Sequence, residues 1–518
     1  MIEMQHLAPI MFGALVVAML VGFPVAFTLA GLGLGFGAFA ISQGFFPEAF
    51  MANLPLRLFG IVSNELLLSI PFFTFMGALL ERCGLAEDLL DGTGQLFGGK
   101  PGGLGFAVIV VGAILGAITG TVAASVIAMG VISLPIMARY GYNMRYATGV
   151  IAASGTITQL IPPSLVLVVL ADQLGRSVGD MYLGAIGPSL LQTVLFLLFT
   201  LAVAVFRPQW VPALPESART LRGWPLWRKV LWGMLPSIVL IFLVLGTLFM
   251  GLATPTEAGA LGAVGAMVLA AMHKRLNRTL IWQAMDATMR VTTMVIFILL
   301  GSSVFSLVFQ GVDGNIWIED MMSHLPGGPV GFLIAVNIFV FFLAFFLDFF
   351  EIAFIIVPLL APVAEKMGID LVWFGVLLCV NMQTSFMHPP FGFALFYLRG
   401  VADQIYKSGA IARPIASRDI YLGAIPWVVM QLMLVAVVIF WPQSVTYWLD
   451  KEAKVDPDAV RIEMQIEDTG ESTDALTPAE EGASAPETGE GVDAPPSFDV
   501  PPPEDQAASG AGSARVAR

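Results

Sequence analysis

Apolar residues run along this chain in long blocks, at roughly 8–21, 25–42, 64–82, 102–138, 145–172, 185–206, 230–250, 256–272, 291–311, 330–364, 371–398 and 420–441. A block of about 20 such residues can cross a bilayer as a helix, so the pattern predicts an all-α polytopic membrane protein. Two blocks, 102–138 and 330–364, are too long for one crossing and carry a polar or small-residue break near the middle. The first break reads GAITGTVAAS (Gly116–Ser125) and the second FLDFFEIAF (Phe346–Phe354). Each block is either two full spans joined by a tight turn or a re-entrant hairpin whose tip ends inside the membrane.

The block 145–172 is interrupted by IAASGTITQLIPPS (Ile151–Ser164). Pro162 and Pro163 have no N–H to offer a helix, so it should break just before them. Unpaired backbone groups are costly in hydrocarbon and survive only where protein or a polar cavity receives them, here a small cation or a polar solute. A second such stretch, NMQTSFMHPPFG (Asn381–Gly392), interrupts 371–398, with Pro389 and Pro390 standing 227 residues after Pro162 and Pro163. At the same offset Gly84 matches Gly311, Pro135 matches Pro362 and Gly141 matches Gly368, while Pro24/Pro255 and Gly31/Gly262 match at 231. The chain therefore reads as a duplication: a first repeat over 1–206, a connector over 207–229, and a second repeat over 230–449. Broken helices at corresponding points of two repeats point to a transporter's binding site.

Charge adds orientation. With both hairpins re-entrant, each repeat has five crossings, about 10 in all, and the second repeat enters inverted. The loops 82–101, 139–145, 207–229, 273–290 and 399–418 then hold 17 of the 20 Lys and Arg that precede residue 450. The positive-inside rule places those loops in the cytoplasm and both termini outside. The net charge of −13 belongs to residues 450–518, which carry 17 acidic and 5 basic side chains among Pro, Gly, Ala and Ser; that composition predicts a disordered tail. Region 43–63 is amphipathic and reads as an interfacial arm. Cys83 and Cys379 make neither a disulfide framework nor a metal cluster. The N-terminus carries no basic region of a cleavable signal. No phosphate loop or metalloenzyme helix is present, so neither ATP hydrolysis nor other enzyme chemistry is expected. No nucleic-acid partner is expected either.

The polar residues at the breaks are the candidate site. The first repeat supplies Thr119, Gly120 and Thr121 at its hairpin tip and Ser154, Gly155, Thr156, Thr158, Pro162 and Pro163 at its break. The second supplies Asp348 and Glu351 at its tip and Asn381, Gln383, Thr384, Ser385, His388, Pro389 and Pro390 at its break. Neutral oxygens and unwound carbonyls suit sodium. Ser and Thr are also small residues for helix packing, and both readings stand for each hydroxyl. Asp348 and Glu351 are functional if they lie within the membrane and merely solvated if the tip reaches the interface. His388 alone makes no metal site. Thr254–Glu257 (TPTE) reads as a helix start, with Thr254 as cap and Pro255 first.

Over about residues 5–445 the chain resembles the large membrane subunit of TRAP transporters, the tripartite ATP-independent periplasmic systems. The resemblance rests on GFPVAFTLAG, ASGTITQLIPPS, ATPTEAGALGA and NMQTSFMHPPFGFALFYLRGVA. With FFLDFFEIAFIIVPLLAPV it is most similar to the mannitol, chloroaromatic and 2-oxo acid subgroup. The resemblance implies an elevator-type, sodium-coupled carrier of organic acids in a bacterial inner membrane. It also implies two partners, a small four-helix membrane subunit and a periplasmic solute-binding protein. By position, Thr119–Thr121 and Ser154–Thr158 fall in one sodium site of that family, and Asp348 and Asn381–Ser385 in the mirror-related set. His388 departs from the family pattern, where Thr precedes the double proline, and the acidic tail lies outside it. A stand-alone ion-coupled carboxylate carrier and a non-transporting membrane scaffold are the competing readings.

Overall fold

The computed structural model describes residues 4–449 apart from 324, 346 and 389–391, so the acidic tail lies outside the described residues, as do Pro389 and Pro390. The described residues are helical throughout, with no strand among them. The first repeat comprises α1 (Met4–Val21), α2 (Val25–Ser42), α3 (Leu54–Val62), α4 (Glu65–Arg82), α5 (Leu85–Phe97), α6 (Gly103–Thr119), α7 (Val122–Arg139), α8 (Met144–Thr156), α9 (Leu165–Leu174) and α10 (Val178–Phe206). The second comprises α11 (Trp224–Phe249), α12 (Pro255–Met272), α13 (Arg278–Gly311), α14 (Gly314–Ser323) and α15 (Gly328–Leu343). Then α16 (Phe349–Glu351) runs through a π turn, Ile352–Ile356, into α17 (Val357–Lys366). The remainder is α18 (Leu371–Ser385), α19 (Phe393–Lys407), α20 (Ser417–Phe440) and the short α21 (Gln443–Thr446). Among the described residues seven helices are long and apolar enough to cross a membrane, or eight if the bent pair Glu48–Val62 and Glu65–Arg82 is one span. Several further apolar helices are shorter, including α9, α15 and α18.

The duplication is visible in the elements themselves. Added to the first-repeat helices, the 227-residue offset carries Val122 to Phe349 and Met144 to Leu371, which are the first residues of α16 and α18. The turn into each broken helix is built alike. Gly141 and Gly368 take the left-handed conformation (φ 77° and 72°) that ends the preceding helix. Two residues on, Asn143 accepts the Arg145 N–H and Asp370 accepts the Trp373 N–H, capping α8 and α18. Thr254 and Glu257 form the capping box that TPTE announced, the Thr254 N–H donating to Glu257 Oε2 at 2.8 Å and the Glu257 N–H to Thr254 Oγ1 at 3.3 Å.

Packing is exchanged between repeats. The most intimate helix pairs are α2 with α13 and α4 with α12, each partner being the counterpart of the other pair's member. Likewise α7 packs on α19, the half-helix beyond the second break, and α16–α17 with its π turn packs on α9, the half-helix beyond the first. A Cβ on Gly130 of α7 would sit 3.2 Å from both Leu398 and Val401 of α19.

Burial sorts the helices into wall and centre. Phe27, Leu198, Phe206 and Phe242 are exposed on α2, α10 and α11, as lipid-facing side chains are. In α8 every residue from Tyr146 to Thr156 is buried, and α18 is buried almost all round. A helix that is buried on all sides lies at the centre of a bundle. Protein therefore receives the backbone freed at the breaks.

Several boundaries differ from the hydropathy reading, for one physical reason. Helices that lie partly outside the apolar layer carry charges and give no apolar block. Loop 82–101 contains α5, α11 takes up the last residues of the connector from Trp224, and α13 extends back to Arg278. Region 43–63 holds a 3-10 turn (Glu48–Asn53) and α3, with Leu56, Phe59 and Val62 about 70% exposed on one surface.

Candidate functional site

The first break begins where α8 ends at Thr156, passes through a 3-10 turn (Ile157–Gln159), and restarts as α9 at Leu165. The peptide between Pro162 and Pro163 is cis. Carbonyls at the end of α8 are met by hydroxyls three residues on: Thr156 Oγ1 donates to Ala153 O (3.0 Å) and Thr158 Oγ1 to Gly155 O (2.7 Å). Thr158 Oγ1 also lies 3.1 Å from Ser125 Oγ on α7. Ser164 Oγ donates to Gln159 O at 2.5 Å. Two polar atoms here are buried without a protein partner, Ser154 Oγ and Gln159 Oε1. The hairpin helix α6 lies directly on this turn through two glycines: a Cβ on Gly112 would be 2.6 Å from Ser154 Cβ, and one on Gly116 2.9 Å from Thr158 Cα. Gly155 is equally confined, 2.2 Å from Val126 Cγ2 for a Cβ.

The hairpin tip is the pair Gly120 and Thr121 after Thr119 closes α6; Gly120 is left-handed (φ 63°) and Thr121 occupies the cap position of α7. Gly120, Thr121 and Pro163 line one small cleft together with Thr74 of α4, whose buried hydroxyl has no protein partner. Tip and break of the first repeat therefore converge on one cleft.

The second break repeats the hydroxyl pattern. Thr384 Oγ1 donates to Asn381 O (2.7 Å) and Ser385 Oγ to Met382 O (2.5 Å). Ser385 is the 227-residue counterpart of Thr158, and Asn381 that of Ser154. Asn381 Nδ2 donates to Asn337 O of α15 at 2.8 Å, tying break to hairpin, and Asn337 Oδ1 is buried without a protein partner. The His388 ring lies 4.7 Å from that of Phe341 and 4.0 Å from that of Phe345, with neither nitrogen partnered. It is packed among aromatic rings and joins no ligand cluster.

Asp348 and Glu351 are half-buried and act on the backbone. The Phe349 N–H donates to Asp348 Oδ1 (2.6 Å) and the Asp348 N–H to Glu351 Oε2 (2.9 Å), a capping box at the start of α16. Asp348 is the counterpart of Thr121, which stands at the same position before α7 but makes no side-chain capping hydrogen bond. The two breaks also touch: Thr156 Oγ1 lies 3.5 Å from Met387 Sδ, and the Cys379 thiol donates to Gln159 O at 3.3 Å.

Chemically, the centre of the molecule holds two helix C-termini with their partial negative charge, neutral hydroxyl and amide oxygens, and the N-termini of α9 and α19 facing the other way. Such an arrangement suits a hard monovalent cation beside an anionic group. Among the described residues no group of three or more His, Cys, Asp or Glu is placed to hold a metal ion.

Comparison with known proteins agrees with this architecture. Residues 12–444 match the family described as "Tripartite ATP-independent periplasmic transporter, DctM component". The chain belongs to that family. It is 31% identical over 400 residues to the C4-dicarboxylate TRAP transporter large permease protein DctM of Pseudomonas aeruginosa, covering 77% of this chain and 89% of that protein. The corresponding Rhodobacter capsulatus protein is 30% identical over 450 residues, covering 84% and 97%. The 2,3-diketo-L-gulonate TRAP transporter large permease protein YiaN of Escherichia coli is 25% identical, covering 84% and 97%. The crystal structure of the Alcanivorax borkumensis YdaH transporter shares the fold, with a TM-score of 0.57 at 13% identity over 83% of this chain and 98% of that one. This is a TRAP transporter large permease, a multi-pass membrane protein and not an enzyme.

The sequence pointed to the breaks of this TRAP permease but not to the residues that hold them. Gln192 and Gln383 exchange two amide hydrogen bonds, Gln192 Nε2 to Gln383 Oε1 at 2.9 Å and the reverse at 2.7 Å. On the other side Gln431 Nε2 donates to Thr156 Oγ1 at 3.0 Å. Gln383 is the counterpart of Thr156, and Gln192 and Gln431 lie at matching depths in α10 and α20, 14 residues after Val178 and Ser417. All four are fully buried. Polar residues in the middle of α10 and α20 were the available signal. Gln192→Leu should destabilise the permease by about 1–2 kcal/mol, since it leaves the Gln383 amide buried and unpaired. The double variant Gln192→Leu/Gln383→Leu should recover most of that loss. Thermal melts of the three proteins in one detergent check this; additive losses would mean the pair is uncoupled.

Proposed function

We propose that this TRAP permease imports an organic acid, driven by sodium, as the membrane-spanning partner of a periplasmic solute-binding protein and a small four-helix subunit. The observation that carries the reading is the pair of helix breaks 227 residues apart, in contact with each other, with buried oxygens that have no protein partner at the first break (Ser154, Gln159) and on the hairpin helix tied to the second (Asn337). Sodium is cargo here. Its candidate ligands are Ser154, Thr158 and the end carbonyls of α8 in one repeat, and Asn381, Ser385 and the end carbonyls of α18 in the other. The hydroxyls that donate to carbonyls keep oxygen lone pairs for a cation. A carboxylate substrate suits the half-helix N-termini. Relatives named for C4-dicarboxylate and for 2,3-diketo-L-gulonate favour an acid. The exchanged packing of hairpin arms and half-helices makes one body able to move as a unit against the α2–α13 and α4–α12 walls, as an elevator requires. The test is uptake by proteoliposomes holding the permease, its small subunit and the neighbouring binding protein, after a thermal-shift screen of that protein against organic acids. No sodium-driven accumulation of the acid that the binding protein selects would refute the reading.

The same reading places the chain in a bacterial inner membrane with both ends periplasmic, because the basic residues collect in five loops. A reporter fused after Arg219 should report cytoplasm, and one after Asp450 periplasm. The opposite pair of results would invert the topology.

A further inference from the structure

The corner where α12 turns into α13 carries a feature that the transport site does not use. Lys274 is left-handed (φ 56°) at the end of α12; its N–H donates to Ala271 O and that of Arg275 to Ala270 O, both at 2.9 Å. The matching turn after α2 has Gly44 (φ 74°) in that place, its N–H on Ile41 O at 2.9 Å and that of Phe45 on Ala40 O at 3.0 Å. Glycine is the residue such a turn favours, because a Cβ is crowded there. The second repeat keeps a lysine at this cost, and a strained residue retained in place is a sign of use.

Its neighbours explain what the use is. The Arg275 guanidinium lies over Gly84, where a Cβ would be 2.5 Å from Nη1, so the end of α4 joins the corner. Arg82 there donates to Gln283 Oε1 at 3.3 Å. Arg82, Lys274 and Arg275 thus line one polar pocket, and Arg278 begins an adjoining apolar groove along Ile281, Trp282 and Met285. All four cations are exposed, and among the described residues none has a carboxylate within 4.0 Å. Glu81, beside Arg82, is half-buried. Trp232 and Trp282 flank the corner and are about 60% exposed, as tryptophans at a membrane interface are.

We propose that this corner binds the headgroup of an anionic phospholipid. The phosphate sits among Arg82, Lys274 and Arg275, and an acyl chain follows the groove past Trp282 and Met285. A soluble anion would use the polar pocket but not the groove that continues from it. Basic pockets between membrane helices bind such headgroups, and each basic group near an anionic surface contributes roughly a fivefold preference.

The test is native mass spectrometry of the full chain in detergent with phosphatidylglycerol or phosphatidylcholine of identical acyl chains, repeated with inorganic phosphate as competitor. Phosphatidylglycerol should bind preferentially and resist phosphate. Arg82→Gln/Arg275→Gln should weaken it roughly thirty-fold, whereas Arg207→Gln/Arg228→Gln, two exposed cations elsewhere, should not. Lys274→Gly guards against misfolding: glycine suits the turn, so the melting temperature should hold or rise while phosphatidylglycerol binding falls roughly fivefold. Equal binding of the two lipids, full retention by the corner variants, or displacement by phosphate would overturn the proposal.

Discussion

Gly112→Ala is expected to abolish most transport while leaving the protein folded. The added methyl would meet Ser154 Cβ at 2.6 Å and Ser154 O at 3.0 Å, so α6 must move away from the first break. Overpacking of this kind costs about 1–3 kcal/mol, which a large membrane bundle tolerates. The site does not tolerate it, because Ser154 carries the buried oxygen that has no protein partner. Uptake should fall at least about tenfold, since even 1.4 kcal/mol on a binding step is a factor of ten. Gly31→Ala is the control: it is helical, and nothing lies within 4 Å of a Cβ there. Alanine in an open helical position is neutral or stabilising by about 0.5–1 kcal/mol. If the two variants transport alike, the contact between hairpin and break is not functional.

The contact shows where the sequence could and could not be read. The break was legible as IAASGTITQLIPPS and the hairpin tip just beyond Gly112 as GAITGTVAAS, each a polar, small-residue interruption in an apolar block. Their meeting was not, because Gly112 is one small residue among many in a Gly-rich segment and only tertiary packing distinguishes it. The duplication was legible for a different reason. Prolines and left-handed glycines mark backbone geometry that other residues cannot supply, so Gly141/Gly368 and the double prolines kept their spacing. Amphipathic helices such as α5 escaped a reading that weighted apolar length, since half of their surface is charged or polar. Gln192 and Gln431, which grip the breaks from α10 and α20, escaped it too. A single amide inside an apolar helix shows only that some partner exists, and the partner of Gln192 lies 191 residues away.

The carboxylates illustrate the opposite case, where a sharp sequence feature has a local explanation. Asp348 and Glu351 close a capping box on α16, which accounts for both side chains without a ligand. The equivalent position in the first repeat holds Thr121, a neutral residue that makes no side-chain capping bond. Charge at this position is therefore not demanded by the architecture that the repeats share. The neutral oxygens at the breaks, repeated at Thr158/Ser385 and Ser154/Asn381, are the better candidates for coupling.

Ser154→Ala should raise the sodium concentration that drives half-maximal uptake, and it should do so with a stability change whose sign depends on sodium. Without the ion, Ser154 Oγ is a buried hydroxyl with no protein partner. Removing such a group relieves a desolvation penalty of about 1–3 kcal/mol, so the variant should melt at or above the parent temperature in potassium. On the proposed reading, the same oxygen becomes a ligand when sodium binds. Sodium at one hundred times its dissociation constant stabilises the folded state by about 2.7 kcal/mol per site, and the variant should lose part of that gain. A pure packing role predicts the same shift in both salts. Asn381→Ala tests the second repeat, with one difference: it also removes the hydrogen bond to Asn337 O, so it should melt lower in either salt. Its sodium dependence should still shift the same way. The measurements are melting curves in sodium and potassium, and uptake against sodium concentration in liposomes holding the complete transporter. If both variants keep the parent's sodium midpoint, and the Ser154→Ala melting shift is the same in sodium and potassium, neither side chain touches the ion. Coordination would then fall to the carbonyls at the ends of α8 and α18.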